Sequence, residues 1–200
     1  FVAMRLAWRL GLEVAEVRLV RAAGKDVLLV RRFDRVDGET GWTRRAMVSG
    51  LTLLGLDEMM ARYASYEDLA TIVRARFVEP RATLRELFGR LVFNILCGNT
   101  DDHARNHAAF WDGTNLRLTP AYDICPQDRS GGEASQAMKI VGDAASSRLA
   151  TCLEAAPQFL LSRSQAREIM TAQVEGVRRH FGAVADEAGL SEIETRRLWR

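Results

Sequence analysis

Three oxygen-bearing side chains set the chemistry open to this sequence. Asp101 and Asn106 lie five positions apart in the stretch Gly98-Asn99-Thr100-Asp101-Asp102-His103-Ala104-Arg105-Asn106, and Asp123 follows Tyr122 further along. Phosphoryl transfer uses such a set: one carboxylate orients the attacking hydroxyl and accepts its proton, while an amide oxygen and a second carboxylate hold Mg²⁺ against the nucleotide phosphates. Mg²⁺ takes hard oxygen ligands and keeps several waters, so two protein ligands are enough. In protein kinases the base Asp and the metal Asn are five apart on one loop, and the metal Asp follows a hairpin. Alone, D-x4-N is a weak signal, because Asn and Asp also collect in turns. For that pair in isolation the turn is the better reading. A hairpin followed by an Asp beside an aromatic residue is much less common. Neither His-Arg-Asp nor Asp-Phe-Gly occurs, so an ordinary eukaryotic-type kinase is not indicated.

The elements that must position these residues can be read from periodicity. Pro80 opens a helix with Leu84, Leu87, Leu91 and Ile95 at helical spacing, a core stripe, and Gly98 stops it. Residues 106–111 and 116–118 flank Asp112-Gly113-Thr114-Asn115, a hairpin signal. A hairpin returns the chain near its start, so Asp101, Asn106 and Asp123 are expected to converge. Upstream, Phe1 to Leu10 reads as a helix that Gly11 ends, and residues 14–20 and 27–30 read as a β-hairpin around Ala22-Ala23-Gly24-Lys25-Asp26. Asp34 to Gly41 is polar and is the best linker candidate. Ser65-Tyr66-Glu67-Asp68 resembles a capping box opening a helix through Phe77. Cys125 to Ser135 reads as a loop, residues 164–188 as a long helix, and Ser191 as the cap of a last one. A small sheet-containing segment thus precedes a larger helical part.

Composition removes several classes. The chain has 200 residues, 28 Lys plus Arg and 26 Asp plus Glu, for a net charge of +2. Blanket phosphate neutralisation usually needs more positive charge. No apolar run approaches the roughly 18 residues of a membrane span. Three widely spaced cysteines, Cys97, Cys125 and Cys152, fit a reducing compartment better than a disulfide framework. With no visible signal peptide, the cytoplasm is the expected location. The chain starts at Phe1 inside a helical pattern, which reads as a piece that begins within a larger fold.

Other residues admit simpler readings. His103 and His107 have the four-residue spacing of a zinc helix, but Ala104 stands where the general-base Glu would be, and no helix is expected there. His107 reads as a strand residue packing beside the loop, and His180 as part of a solvated helix face. Arg196, Arg197, Trp199 and Arg200 read as fraying surface charge. Asp34 and Asp37 offset a positive patch of Arg31, Arg32 and Arg35. Cys125 reads as a small buried residue, and Trp8, Met59 and Met60 as core.

Three motifs together resemble the HipA family, bacterial serine/threonine kinases that act as toxins of toxin–antitoxin modules. The first is Val92 to Asn106 followed by Leu118-Thr119-Pro120-Ala121-Tyr122-Asp123. The second is Arg32-Phe33-Asp34-Arg35, like the family's hinge signature, and the third is Leu6-Ala7 with Leu10-Gly11-Leu12. The resemblance runs from Phe1 to about Lys139. It implies an α+β, protein-kinase-like fold: a partial N-lobe and hinge over 1–35, then a mostly helical C-lobe over 36–200. It implies ATP and Mg²⁺ as cofactors, with Asp101 as catalytic base and Asn106 and Asp123 holding the metal. Arg31, Arg32 and Phe33 would offer backbone groups to the adenine edge. His103 and Arg105 would lie near the nucleotide phosphates, and Tyr122 would brace the metal Asp. Cys125 to Lys139 would be the activation segment. The implied partner is a small helix-turn-helix antitoxin of the HipB kind, the implied protein substrate an aminoacyl-tRNA synthetase, and DNA would be reached only through the antitoxin.

Two departures stand out. The family's phosphate-binding loop and nucleotide-pairing Lys fall before the position matched by Phe1. The family's Glu-Asp pair after the hinge is absent, and Arg44-Arg45-Ala46-Met47 stands near there. A different class of function follows from the first departure: a truncated or degenerate kinase that engages an antitoxin without turnover. The intact set Asp101, Asn106 and Asp123 favours the enzyme.

Overall fold

A computed structural model describes residues 1–127 and 133–199. Residues 128–132 of the expected activation segment, and Arg200 of the basic C-terminus, lie outside the described residues. The fold is mixed α/β, a small sheet region followed by a helical part. Helix α1 (Val2–Arg9) is followed by the antiparallel hairpin β1 (Val17–Ala22) and β2 (Lys25–Val30). The expected hairpin is there, its strands shifted by a few residues.

The polar stretch after it is more ordered than its composition suggests. β3 (Arg35–Val36) pairs with β4 (Thr43–Arg44). β5 (Met47–Ser49) then runs into the single-turn helix α2 (Gly50–Leu53), capped by the Ser49 side chain. Short strands with no alternation carry no periodic signal, and only the distant partner of β5 makes it a strand. That partner is β6 (Ala108–Trp111), which also pairs with β7 (Leu116–Leu118), giving a three-stranded sheet in the order β5-β6-β7.

Helix α3 (Tyr66–Arg76) starts where Ser65 accepts the Asp68 amide, and Pro80 opens α4 (Pro80–Cys97). α4 is buried on nearly every side from Leu87 to Ile95. Leu84, Leu87 and Leu91 lie in the larger core with Tyr66, Phe88 and Phe159, while Phe93 lies in a second core with α1, Ala121 and Phe181. Fully burying such a side chain contributes about 1.5–3 kcal/mol. α5 (Leu149–Ala155), the long α6 (Arg163–Glu187) and α7 (Glu192–Leu198) complete the chain, the last two opened by capping boxes at Ser162 and Ser191. No described helix is long and apolar enough to cross a membrane.

Several residues expected inside are outside. Trp8 is half exposed, its ring covered by the guanidinium groups of Arg5 and Arg9, and both arginines also reach Glu187 of α6. Met59 and Met60 are exposed on the 3₁₀ turn Glu58–Tyr63, which buries no residue. Cys125 is exposed, although its neighbour Ile124 is buried in the second core. An apolar side chain on a surface turn is ordinary.

Candidate active site

The loop after α4 is fixed at both ends before it presents any functional group. Gly98 takes the left-handed conformation, φ 75°, that ends a helix without strain for glycine. The Asn99 amide donates to the Asn94 carbonyl at 2.8 Å, and the Asn99 side chain donates to Asn94 Oδ1 at 3.1 Å. Segments after Asp123 close over this turn. Gln127 N donates to the Gly98 carbonyl at 3.0 Å, Gln136 Nε2 to the Asn99 carbonyl at 3.2 Å, and Ala137 N to the Thr100 carbonyl at 2.9 Å.

Beyond Thr100 the two neighbouring aspartates part. Asp101 is exposed and Asp102 is buried. Asn106 Nδ2 donates to the Asp101 carbonyl at 3.3 Å, which leaves Asn106 Oδ1 for an outside partner. The turn Ala104–Asn106 is a single 3₁₀ turn closed by Asn106 N on the His103 carbonyl. Tyr122 Oη donates to the Arg105 carbonyl at 2.5 Å and so ties the residue before Asp123 to the residue before Asn106. Burial, with the Asp123 charge adding to it, pushes the Tyr122 hydroxyl up to about 12, so it stays a donor. Asp123 itself has φ 59°, the left-handed region, which Asp tolerates better than most residues. Strained backbone of this kind gathers at functional sites.

Asp102 is the hub beneath the loop. Its Oδ2 accepts the Tyr66 hydroxyl, and its Oδ1 lies 3.0 Å from His107 Nε2, in ion-pair range without the alignment of a hydrogen bond. Burial by itself would raise the Asp102 carboxyl. The close approach of His107 and the hydrogen bonds from Tyr66 and Asn94 outweigh it and hold the group below the usual carboxylate range. Burial pushes the Tyr66 hydroxyl well up, and Asp102 adds to it. His107 is the packed residue beside the loop that its position suggested. Sequence reasoning missed Asp102, Tyr66, Asn94 and Asn99, whose types gave no hint of mutual contact across 36 positions in the Tyr66–Asp102 case.

The other expected residues divide. Phe33 reaches the site: its ring lies 5.5 Å from that of Tyr122 and 5.9 Å, edge-on, from that of Phe110. The expectation for Arg31 and Arg32 concerns their backbone; their side chains go to Glu16 and Asp34, and the Arg31 amide donates to the Glu16 carbonyl. The paired hydrogen bonds from Arg32 hold Asp34 down at about 2, helped by the charges of Arg32 and Arg35. Arg105 turns its guanidinium to Glu58 on the exposed 3₁₀ turn. His103 is half-buried, with Nδ1 unpartnered.

Gly50 is a further residue that no motif announced. Its amide donates to the His107 carbonyl at 2.6 Å, and a Cβ there would lie 2.6 Å from the Ala104 carbonyl oxygen. Only glycine lets α2 lie this close to the loop. Gly50→Ala is expected to destabilise the chain by about 1–3 kcal/mol, because the clash is with backbone and cannot be relieved by a rotamer. A thermal midpoint unchanged from wild type would show that the loop does not depend on this contact.

Against known proteins, residues 1–181 match the family model of the HipA-like C-terminal domain. The chain belongs to that family. The serine/threonine-protein kinase toxin HipA of Shewanella oneidensis is 30% identical over 144 residues, 64% of this chain and 33% of that protein. The solved complex of Shewanella oneidensis HipA with HipB and operator DNA superposes with a TM-score of 0.81 at 25% identity, over 99% of this chain and 53% of that one. The proinflammatory kinase CtkA of Helicobacter pylori shares the fold alone, with a TM-score of 0.57 at 16% identity, over 89% of this chain and 81% of that one. The chain thus spans about a third of the curated HipA relative and about half of the solved HipA chain. Its HipA relatives are kinases by name, and the mixed fold with a small sheet region and a helical C-terminal part is the one the motifs implied.

Proposed function

We propose that this chain carries the phosphotransfer site of a HipA-like, ATP- and Mg²⁺-dependent serine/threonine kinase. The observation that carries the reading is the tie between two parts of the site: Tyr122 on the Arg105 carbonyl and Asn106 on the Asp101 carbonyl. Those two bonds link the segments bearing Asp101, Asn106 and Asp123.

Asp101, exposed at the loop surface, accepts or orients the proton of the attacking hydroxyl. Asn106 Oδ1 and the Asp123 carboxylate are hard oxygen donors that suit Mg²⁺, whose remaining ligands would come from nucleotide phosphates and water. Among the described residues no three His, Cys, Asp or Glu side chains cluster to cage a metal. The metal would neutralise charge on the transferring phosphoryl group. Phe33 and the neighbouring backbone of Arg31 and Arg32 border the adenine side. Tyr122 fixes Asp123, and His103 and Arg105 border the phosphates once Arg105 leaves Glu58. The lobe boundary near residue 35 and the activation segment over 125–139 belong to the same proposal.

The acceptor is a Ser or Thr hydroxyl on a protein, with an aminoacyl-tRNA synthetase as the candidate substrate. A HipB-like helix-turn-helix antitoxin is the proposed partner, and DNA would be reached through it. The HipA relative whose structure is described as a complex with HipB and operator DNA supports that partner.

Calorimetric titration with a non-hydrolysable ATP analogue, with and without Mg²⁺, tests the metal assignment. Asp123→Asn is expected to remove most of the Mg²⁺-dependent gain in affinity, about tenfold or more. The same gain in mutant and wild type would take Asp123 out of the metal site.

A further inference from the structure

The cationic groups expected on the phosphate side of the site already face a carboxylate. Arg105 pairs with Glu58. Its hydrogen bond and charge hold the Glu58 carboxyl below the usual range, and the approach of His103 adds to this. The Nδ1 atom of His103 is buried without a partner. Arg105 in turn is held chiefly by Glu58, with Asp101 close enough to add to the pull. The Glu58 carboxylate thus takes the place, against Arg105 and beside His103, that an anion bound by them would take.

The segment that carries Glu58 is tethered at both ends and lightly packed between. At one end the Gly50 amide donates to the His107 carbonyl at 2.6 Å. At the other the Lys139 amide donates to the Ala64 carbonyl at 3.1 Å, and the Tyr66 amide to the Lys139 carbonyl at 2.9 Å. Between them the turn Glu58–Tyr63 is capped by Asp57, whose side chain accepts the Met60 amide at 3.0 Å, and it buries no residue. The ion pair is open to water, with the Arg105 and Glu58 side chains 41% and 70% exposed. An exposed pair of this kind is weak. Nucleotide phosphates carry more charge and present their oxygens in pairs to a guanidinium, so they can displace the carboxylate. Tyr122 Oη holds the Arg105 carbonyl, so the exchange moves the guanidinium and leaves the loop in place.

We propose that Glu58 is a positioning residue that competes with the nucleotide phosphates for Arg105, a latch that holds this cation off the site until nucleotide arrives. The inference rests on the phosphotransfer reading and adds to it a residue outside the three motifs. A site whose cation must first be freed binds with an affinity reduced by the fraction that is free. Removing the carboxylate should therefore tighten nucleotide binding, the opposite of what the loss of a merely structural contact would do.

Titration of the full-length protein with a non-hydrolysable ATP analogue in Mg²⁺ tests it, using Glu58→Gln, Arg105→Ala and the double mutant. Glu58→Gln is expected to tighten binding by about two- to fivefold, the range that an exposed pair allows. Adenosine, which has no phosphates, is expected to bind Glu58→Gln and wild type alike. Arg105→Ala is expected to weaken binding of the analogue, and Glu58→Gln to add no gain in its presence. Equal or weaker analogue binding by Glu58→Gln, an equal gain for adenosine, or the full gain persisting without Arg105 would each overturn the latch. In each of those cases Mg²⁺-dependent binding that Asp123→Asn removes would keep the phosphotransfer reading in place. Absence of Mg²⁺-dependent binding in wild type and every variant would overturn that reading and the latch together.

Discussion

Asp101→Asn in the full-length protein is expected to lower phosphotransfer by about 10²–10⁴-fold, the usual contribution of a positioned general base. Nucleotide affinity should stay close to that of wild type. Asp101 is exposed, and its role in the local structure runs through its carbonyl, which accepts Asn106 Nδ2. The exchange of a carboxylate oxygen for an amide leaves that carbonyl, and the exposure of the side chain, unchanged. The fold should therefore survive and only proton acceptance should be lost. Transfer by the mutant at the wild-type rate would end the assignment of Asp101 as base.

The largest expected effect on stability belongs to the aspartate next door. Asp102→Ala strips Tyr66 of its acceptor and His107 of its carboxylate, both in the interior. Breaking a buried pair by removing one partner costs about 3–5 kcal/mol. For a chain of this size that lowers the thermal midpoint by roughly 10 °C. Tyr66→Phe, which removes the donor and leaves the pair with His107, should cost only about 0.5–1.5 kcal/mol. In the double mutant the two losses should add to less than their sum, because the orphaned hydroxyl is gone. Full additivity would mean that Asp102 and Tyr66 do not work together.

The same carboxylate gives the chain an acid-sensitive element. Its pKa in the fold lies below the ordinary 3.8, so the folded state binds the proton less readily than the unfolded chain does. Stability from this group is present above the unfolded value and is lost as the pH falls through the folded one. Acid unfolding below about pH 4 should therefore be less steep in Asp102→Asn than in wild type. Parallel acid limbs in the two proteins would rule that out.

Much of the scaffold was legible because its signals are local. Pro80, the Leu84-Leu87-Leu91-Ile95 stripe and Gly98 mark a helix from first turn to stop, and the structure has it over Pro80–Cys97. Asp112-Gly113-Thr114-Asn115 marks a hairpin that is present. What escaped is what depends on distant partners. β5 is a strand only because β6 lies beside it, and the nearness of Gly50 to Ala104 and His107 is invisible in a sequence where they stand more than fifty positions apart. In the site, the motif singled out Asp101 but not Asp102, since adjacent residues of one type give no sign of which faces inward. Trp8 and Met59 show the converse error: apolar character suggested burial, and the turn and the neighbouring arginines left them outside.

The register of β5 against β6 also has a kinetic meaning. Ser49 stands opposite Ala108, and the chain between them contains α3 and α4 entire. Closing a loop of that length carries an entropic cost that local helix formation does not. The two helices can therefore form early from their own signals, while the ladder that seats the loop at Ala104 to His107 is completed late in folding. Amides of β5 and β6 should then gain hydrogen-exchange protection after those of α4, so that the chain passes through a state with its core assembled and the loop at Ala104 to His107 still unset.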